Sequence, residues 1–312
     1  MKKILLLAVI AVLAASTFAQ QTVKKVRIYK DNAVVYECNY ADVDSIVFVD
    51  EIIHDVPDLP EGALSGEFSV SATKTVHFSS GNLQASTTDL GTNWTWGFAE
   101  HQWDFIGNAA ANNAINGNGT VSANGIVDLF GWSTTATYYG ISNDHSYTSH
   151  FGDFVDWGET IGEGWYTLSM DEWVYLFCGR TDAAHLFGMG SVNGINGTIL
   201  LPDNWAGDKF TDTENGLTDR GTSYENIYGT NFSFHTYTAE QWATMETNGA
   251  VFLPAAGRCF RMDVSNVGSY GSYWSSTLSD EIDAWYMYFN VGILDPHGNN
   301  YREYGRSVRL VR

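Results

Sequence analysis

Reactive chemistry in this 312-residue chain would have to come from its thiols, histidines or carboxylates, and their spacing is uninviting. Cys38, Cys178 and Cys259 lie far apart with no Cys-x-x-Cys pair, so neighbouring thiols build neither a metal site nor a redox couple. The odd count allows at most one intramolecular disulfide. Cys178 and Cys259 share a domain and can pair after export, while Cys178, near a helix end, also reads as a small buried hydrophobe. His145 and His150 stand five apart in Asp144-His-Ser-Tyr-Thr-Ser-His150, without a third fixed ligand, and read as loop histidines rather than zinc ligands. Asp153, Asp156, Glu159 and Glu163 crowd an acid-rich stretch and are the candidate ligands of a structural calcium ion, although the Asp-x-Asp-x-Asp-Gly pattern is missing. No Gly-x-Ser-x-Gly, P-loop or dinucleotide fingerprint appears. No catalytic residue is assigned, and no cofactor besides calcium is expected.

Aromatic residues are the larger resource: they make up 14% of the chain, against 17% charged, a rigid and foldable composition. Gly271-Ser-Tyr-Trp-Ser-Ser-Thr277, Ala284-Trp-Tyr-Met-Tyr-Phe289 and Gly305-Arg-Ser-Val-Arg-Leu-Val-Arg312 are short aromatic and β-branched runs split by polar, Gly-rich stretches, the pattern of an antiparallel meander. Trp94, Trp96 and Phe98 alternate, which places three rings on one strand face and reads as core.

Several elements must position these residues. Lys2 and Lys3, an apolar run over 4–15 and Thr17-Phe-Ala19 form a signal peptide, residues 1–19, too short to span a bilayer. The expected product is secreted, periplasmic or at the cell surface, with no membrane insertion after cleavage. A formal charge of −20 makes nucleic acid and anionic membranes poor partners. Residues 20–50 read as a small β module with strands at 23–29, 34–38 and 45–49, and 51–65, with Pro57 and Pro60, as a semi-rigid linker. Residues 66–312 read as one domain. An opening strand is expected over 68–78 and a loop over 107–120. Ser169-x-x-Glu172 is a capping box ahead of a helix through Trp173, Leu176 and Phe177 to Gly179. Thr238-x-x-Gln241 repeats it before Trp242 and Met245, with Asn248-Gly249 as the stop and a strand over 249–254. Two helices among many short strands predict an α+β domain.

Trp165-Tyr-Thr-Leu-Ser-Met-Asp-Glu-Trp173, Val155-Asp-Trp-Gly158, Val251-Phe-Leu-Pro-Ala-Ala-Gly257, Tyr273-Trp-Ser-Ser-Thr277 and the terminal Gly-x-Ser-Val-Arg-x-Val-Arg form an ordered set spanning roughly residues 65–312. Together they resemble the C-type-lectin-like superfamily that includes formylglycine-generating enzymes, and in particular the Fibrobacter-type major paralogous domain. The 20–50 unit resembles the N-terminal hairpin of secreted Bacteroidetes-type proteins. The resemblance implies a C-type-lectin-like fold with two main helices, whose first and last strands pair and whose loops present a variable surface. Some such domains are rewritten near the C-terminus by diversity-generating retroelements. On that reading Trp274, Ala284, Phe289 and Val308 are scaffold, and Tyr270, Tyr273, Asp295, His297, Asn299, Asn300, Tyr301 and Tyr304 form a ligand-binding face, with Tyr and Asn supplying rigid contacts and adaptable hydrogen bonds. Neither the paired cysteines of the formylglycine-generating enzymes nor the Glu-Pro-Asn and Trp-Asn-Asp triplets of calcium lectins are present. The expected function is therefore non-enzymatic recognition of a surface protein or glycan. The alternatives are a sulfatase-modifying-type oxidoreductase that has lost the known site, and an adhesive or structural subunit.

Overall fold

The computed structural model describes residues 24–30, 33–43, 59–108, 124–134, 139–141, 153–162, 164–211, 227–228, 231–260 and 263–312. The expected signal peptide, the strand expected at 45–49, most of the expected 107–120 loop, His145, His150 and Glu163 lie outside them. The chain divides into two compact units, Met1–Asp55 and Val56–Arg312. In the first, Lys25–Lys30 and Ala33–Asn39 form an antiparallel hairpin with a register shift between Ile28 and Tyr29. Glu37 accepts from both Lys25 and Arg27 across it, which holds its carboxyl below the usual range.

The second unit corrects the expected α+β, C-type-lectin-like class. Strands account for 42% of the structure and helix for 13%, in many small sheets, and a C-type-lectin-like fold with two main helices is not evident. The helices are short: Met170–Val174, continued by a wider turn over Tyr175–Gly179, and Ala239–Thr247. Both capping boxes form, Ser169 with Glu172 and Thr238 with Gln241. A cap specifies where a helix begins; it does not set the helix's length or make it a layer. The opening strand is also corrected: Phe68–Ser71 and Lys74–Val76 are two arms of a hairpin, because the chain turns at Ala72-Thr73.

Two four-stranded sheets organise the core. One runs in the order His235–Tyr237, Phe187–Val192, Ile195–Leu200, Val251–Pro254, with the first pair parallel. The other is antiparallel: Ile227–Tyr228, Ile293–Tyr301, Asp283–Asn290, Tyr270–Leu278. Alternation along this second sheet sends Tyr273, Met287 and Phe289 into a core with Trp173, Phe177 and Phe78, and sends Trp274, Ala284 and Tyr286 into another with Phe130, Trp157 and Val308. Both faces are thus packed, unlike a sheet with one wet side.

The last residues tie these pieces together. Gly305 exchanges backbone hydrogen bonds with Cys259, and Arg306 with Phe130; Trp274 N–H donates to Ser307, Leu83 to Val308 and Ser79 to Leu310. Leu310–Val311 pairs with Tyr166–Thr167, and Arg312 exchanges both bonds with His77, so the start and end of the unit meet. Trp173 sits at the junction, 1% exposed, its indole donating to the Trp274 carbonyl at 3.3 Å while its ring stacks on Phe177. Trp173→Ala should lower the unfolding free energy by about 3–5 kcal/mol in a urea titration, the cost of deleting a buried aromatic ring; a loss under about 1 kcal/mol would contradict this placement.

Candidate ligand-binding face

The face is assembled from the Asp283–Asn290 strand outward. Tyr286 and Tyr288, two apart, lie on one side of it with centroids 5.5 Å apart. Gly298 on the next strand pairs with Tyr286, and a Cβ there would meet the Tyr288 ring at 2.8 Å, so only glycine leaves room for both rings. Tyr270, from the opposite neighbour, stacks on Tyr288 at 5.5 Å and meets the Tyr286 hydroxyl at 3.4 Å. Burial, before any charge effect, pushes the Tyr270 phenol well above its ordinary range. A second group continues outward: Phe260 stacks on Tyr304 at 4.7 Å and 21°, and Tyr304 on Tyr301 at 6.2 Å and 13°. Two guanidinium groups fit between these rings. Arg306 lies 3.4 Å from the Tyr286 centroid, 4.9 Å from Trp274 and 5.4 Å from Tyr304; Arg258 lies 5.6 Å from Tyr270 and 5.5 Å from Tyr304.

The residues expected at the face divide. Tyr270 and Tyr304 are half-buried within this cluster and Tyr301 is exposed at its edge. Tyr273 is not on it: fully buried, it donates to the Pro254 carbonyl at 2.9 Å and accepts from Asn82, on the opposite side of the sheet from Trp274. Its neighbour Trp274 takes the other face, and strand parity makes the two alternatives exclusive. Asp295 is buried and accepts from the His297 backbone at 2.9 Å, with the imidazole 3.0 Å away; that imidazole stacks on Trp285. Asn299 is exposed and donates to Ser279, and Asn300 accepts from the Tyr301 backbone. Arg258, Phe260, Tyr286, Tyr288 and Arg306 are members that sequence reasoning missed. For Arg306 the available signal was its parity with Val308 and Leu310 in the last run, which puts it on a core-facing side.

Elsewhere, Trp94, Trp96 and Phe98 are half-buried and pack against the second aromatic core, and Trp96 and Phe98, with Trp165, Glu61 and Glu100, line a cleft of about 570 Å³. Cys178 and Cys259 are not joined by a disulfide; burial first, with Asp263, pushes the Cys259 thiol up to about 12. Among the described residues no group of three or more His, Cys, Asp or Glu is placed to hold a metal. Of the calcium candidates, Asp153 is exposed, Glu159 accepts from the Tyr139 hydroxyl, and Glu163 lies outside the described residues. Asp156 is occupied by protein donors: it caps the Trp157–Thr160 turn through the Gly158 N–H at 2.9 Å and takes the Thr167 N–H and hydroxyl at 3.1 and 2.8 Å. Burial raises its proton affinity and these donors oppose that rise.

A family model described as a domain of unknown function (DUF8237) matches residues 229–311. That span includes the Ala239–Thr247 helix and every residue of the tyrosine and arginine cluster. No curated protein and no solved structure matches the chain.

Asp156 therefore tests a structural role against a ligand role. Asp156→Ala should cost about 1–3 kcal/mol, the range for leaving buried donors unmet, with or without added calcium; a loss of stability seen only when calcium is present would show that the carboxylate holds an ion.

Proposed function

We propose that this is an exported, non-enzymatic recognition protein that binds a cell-surface protein or glycan through the C-terminal aromatic face. The observation that carries the reading is the stacked series Phe260, Tyr304 and Tyr301, which ends in a ring 36% exposed and rests on a sheet packed on both sides. Rings already held by neighbours lose little freedom when a ligand covers them, which is why tyrosine serves well at binding surfaces. Asn300, on the Tyr286 side of the same strand, supplies hydrogen-bonding groups, whereas Asn299 and half-buried His297 lie beside Trp285 on the other side. The acidic character of the chain, 36 Asp and Glu against 16 Lys and Arg, suits an extracellular setting and disfavours nucleic acid.

Tyr301→Ala with Tyr304→Ala should reduce capture on a glycan array or on intact cells at least about tenfold, the effect of removing central aromatic contacts, with the urea midpoint close to that of the parent. Undiminished capture by the double variant would defeat the assignment of this face.

A further inference from the structure

Arg306 is buried at 0% exposure, yet its Nε, Nη1 and Nη2 atoms have no hydrogen-bond partner among the described residues. The other buried arginines are met by acceptors at their Nη groups, although the Nε atoms of Arg180 and Arg309 also lack one among the described residues. Arg180 donates to the Leu186 and Leu201 carbonyls and pairs with Asp203. Arg309 donates to Gln102 at 2.8 Å, and Arg302 to the Glu281 carbonyl at 3.2 Å. A guanidinium stays protonated in proteins and offers five N–H donors in a planar fork. Aromatic faces can solvate its charge in part, but they supply no acceptor in the plane of that fork. The Arg306 backbone cannot shift to improve matters, because it is bonded in both directions to Phe130 at 2.9 Å.

The surroundings are built to the same end. Of the three rings around Arg306, Trp274 and Tyr286 are buried, whereas Tyr304 is half-buried and reaches the surface. Arg258 flanks the other side of Tyr304, so two cations share one ring in a chain of net charge −20. Asp283 lies within electrostatic reach of Arg306 but makes no ion pair with it, and its own Oδ1 atom lacks a partner. Overall acidity repels anions at a distance, so a site for one has to be a local pair of this kind.

We propose that Arg306, with Arg258, is an anion subsite of the recognition face, and that its ligand is an acidic sugar unit carrying a carboxylate or sulfate. A turn of the Tyr304 side chain opens the guanidinium, the acid group accepts from the Arg306 fork in a bidentate pair, and the pyranose ring packs on the exposed Tyr301. A sugar fits better than an acidic peptide because the stack of Phe260, Tyr304 and Tyr301 ends in one exposed ring, Tyr301, a flat face on which a pyranose can pack, rather than a groove with hydrogen-bonding edges. The inference rests on the recognition reading for its biological ligand, while its chemistry can be measured separately.

Glucuronate, inorganic sulfate and glucose are titrated calorimetrically into the full chain and into Arg306→Gln, Arg306→Lys and Arg258→Gln. The parent should bind glucuronate and sulfate but not glucose. Arg306→Gln should weaken both at least about tenfold, the loss expected of a charge-assisted pair, and should be no less stable than the parent in buffer free of these anions, since it removes an unmet buried charge. Arg306→Lys, a point charge without the fork, should recover only part of the affinity. Anion binding that survives Arg306→Gln would overturn the subsite, as would a destabilised Arg306→Gln chain alongside a parent that ignores both anions, which would mark Arg306 as a purely structural clamp. Tighter binding of an aspartate-rich peptide than of glucuronate would overturn the sugar assignment. Loss of capture by the tyrosine double variant without any anion binding would sink this inference and leave the recognition reading standing; sulfate binding lost in Arg306→Gln, with capture intact in the tyrosine double variant, would do the reverse.

Discussion

The structure of the second unit depends on a backbone ladder made by its last eight residues. From Gly305 to Arg312 the chain hydrogen-bonds in turn to Cys259, Phe130, Ser272 and Trp274, Leu83, Ser79, Tyr166–Thr167 and His77, segments that otherwise belong to separate small sheets. Each net bond is worth only about 1 kcal/mol, but an unmet buried backbone group costs more. These partners would be left unmet together if the segment moved. Val308, Leu310 and Val311 on the same stretch are fully buried and join the two aromatic cores. The many two-stranded sheets, each marginal alone, become one unit through this shared strand.

That ladder explains why charged side chains are found so deep. A segment that touches core on all sides has no wet face for its arginines: Arg306 shares one side with Val308 and Leu310, and Arg309 the other with Ser307 and Val311, so both point into the interior. Arg309 is met by Gln102 and Asn82, side chains that are themselves fully buried. Arg306 is met by rings instead, and those rings are the floor of the candidate binding face. Stability and recognition are coupled here because the residue that holds Phe130 in place through its backbone also carries the guanidinium beneath the tyrosines. Binding surfaces placed on such rigid elements hold their geometry better than those on loops.

Much of the local structure was legible in the residues. Ser169 with Glu172 and Thr238 with Gln241 mark real helix starts, and the runs around Trp274 and Trp285 are strands, since caps and aromatic or β-branched runs act over a few residues. The class was not legible: the same signals are compatible with long helices or with one turn and a strand, and long-range pairing to the C-terminal segment decides between them. Asp295-Pro-His-Gly-Asn-Asn300 has the composition of a turn, yet it lies within the Ile293–Tyr301 strand, where its neighbour on the sheet supplies the order. Tyr273 was misplaced for a related reason. With both faces of the sheet buried, alternation separates two cores and no longer separates inside from outside. The arginines of the last run were hidden by the general rule that charge is exposed, which fails where cation–π contacts and buried amides take the place of water.

Amide hydrogen exchange followed residue by residue tests the role of the terminal segment most directly. The ladder predicts that the Arg306, Ser307 and Arg312 amides exchange as slowly as those of the central Asp283–Asn290 strand, opening only with the whole unit. Fast, independent exchange over 305–312 while that strand stays protected would show that the segment frays on its own, and would contradict the account.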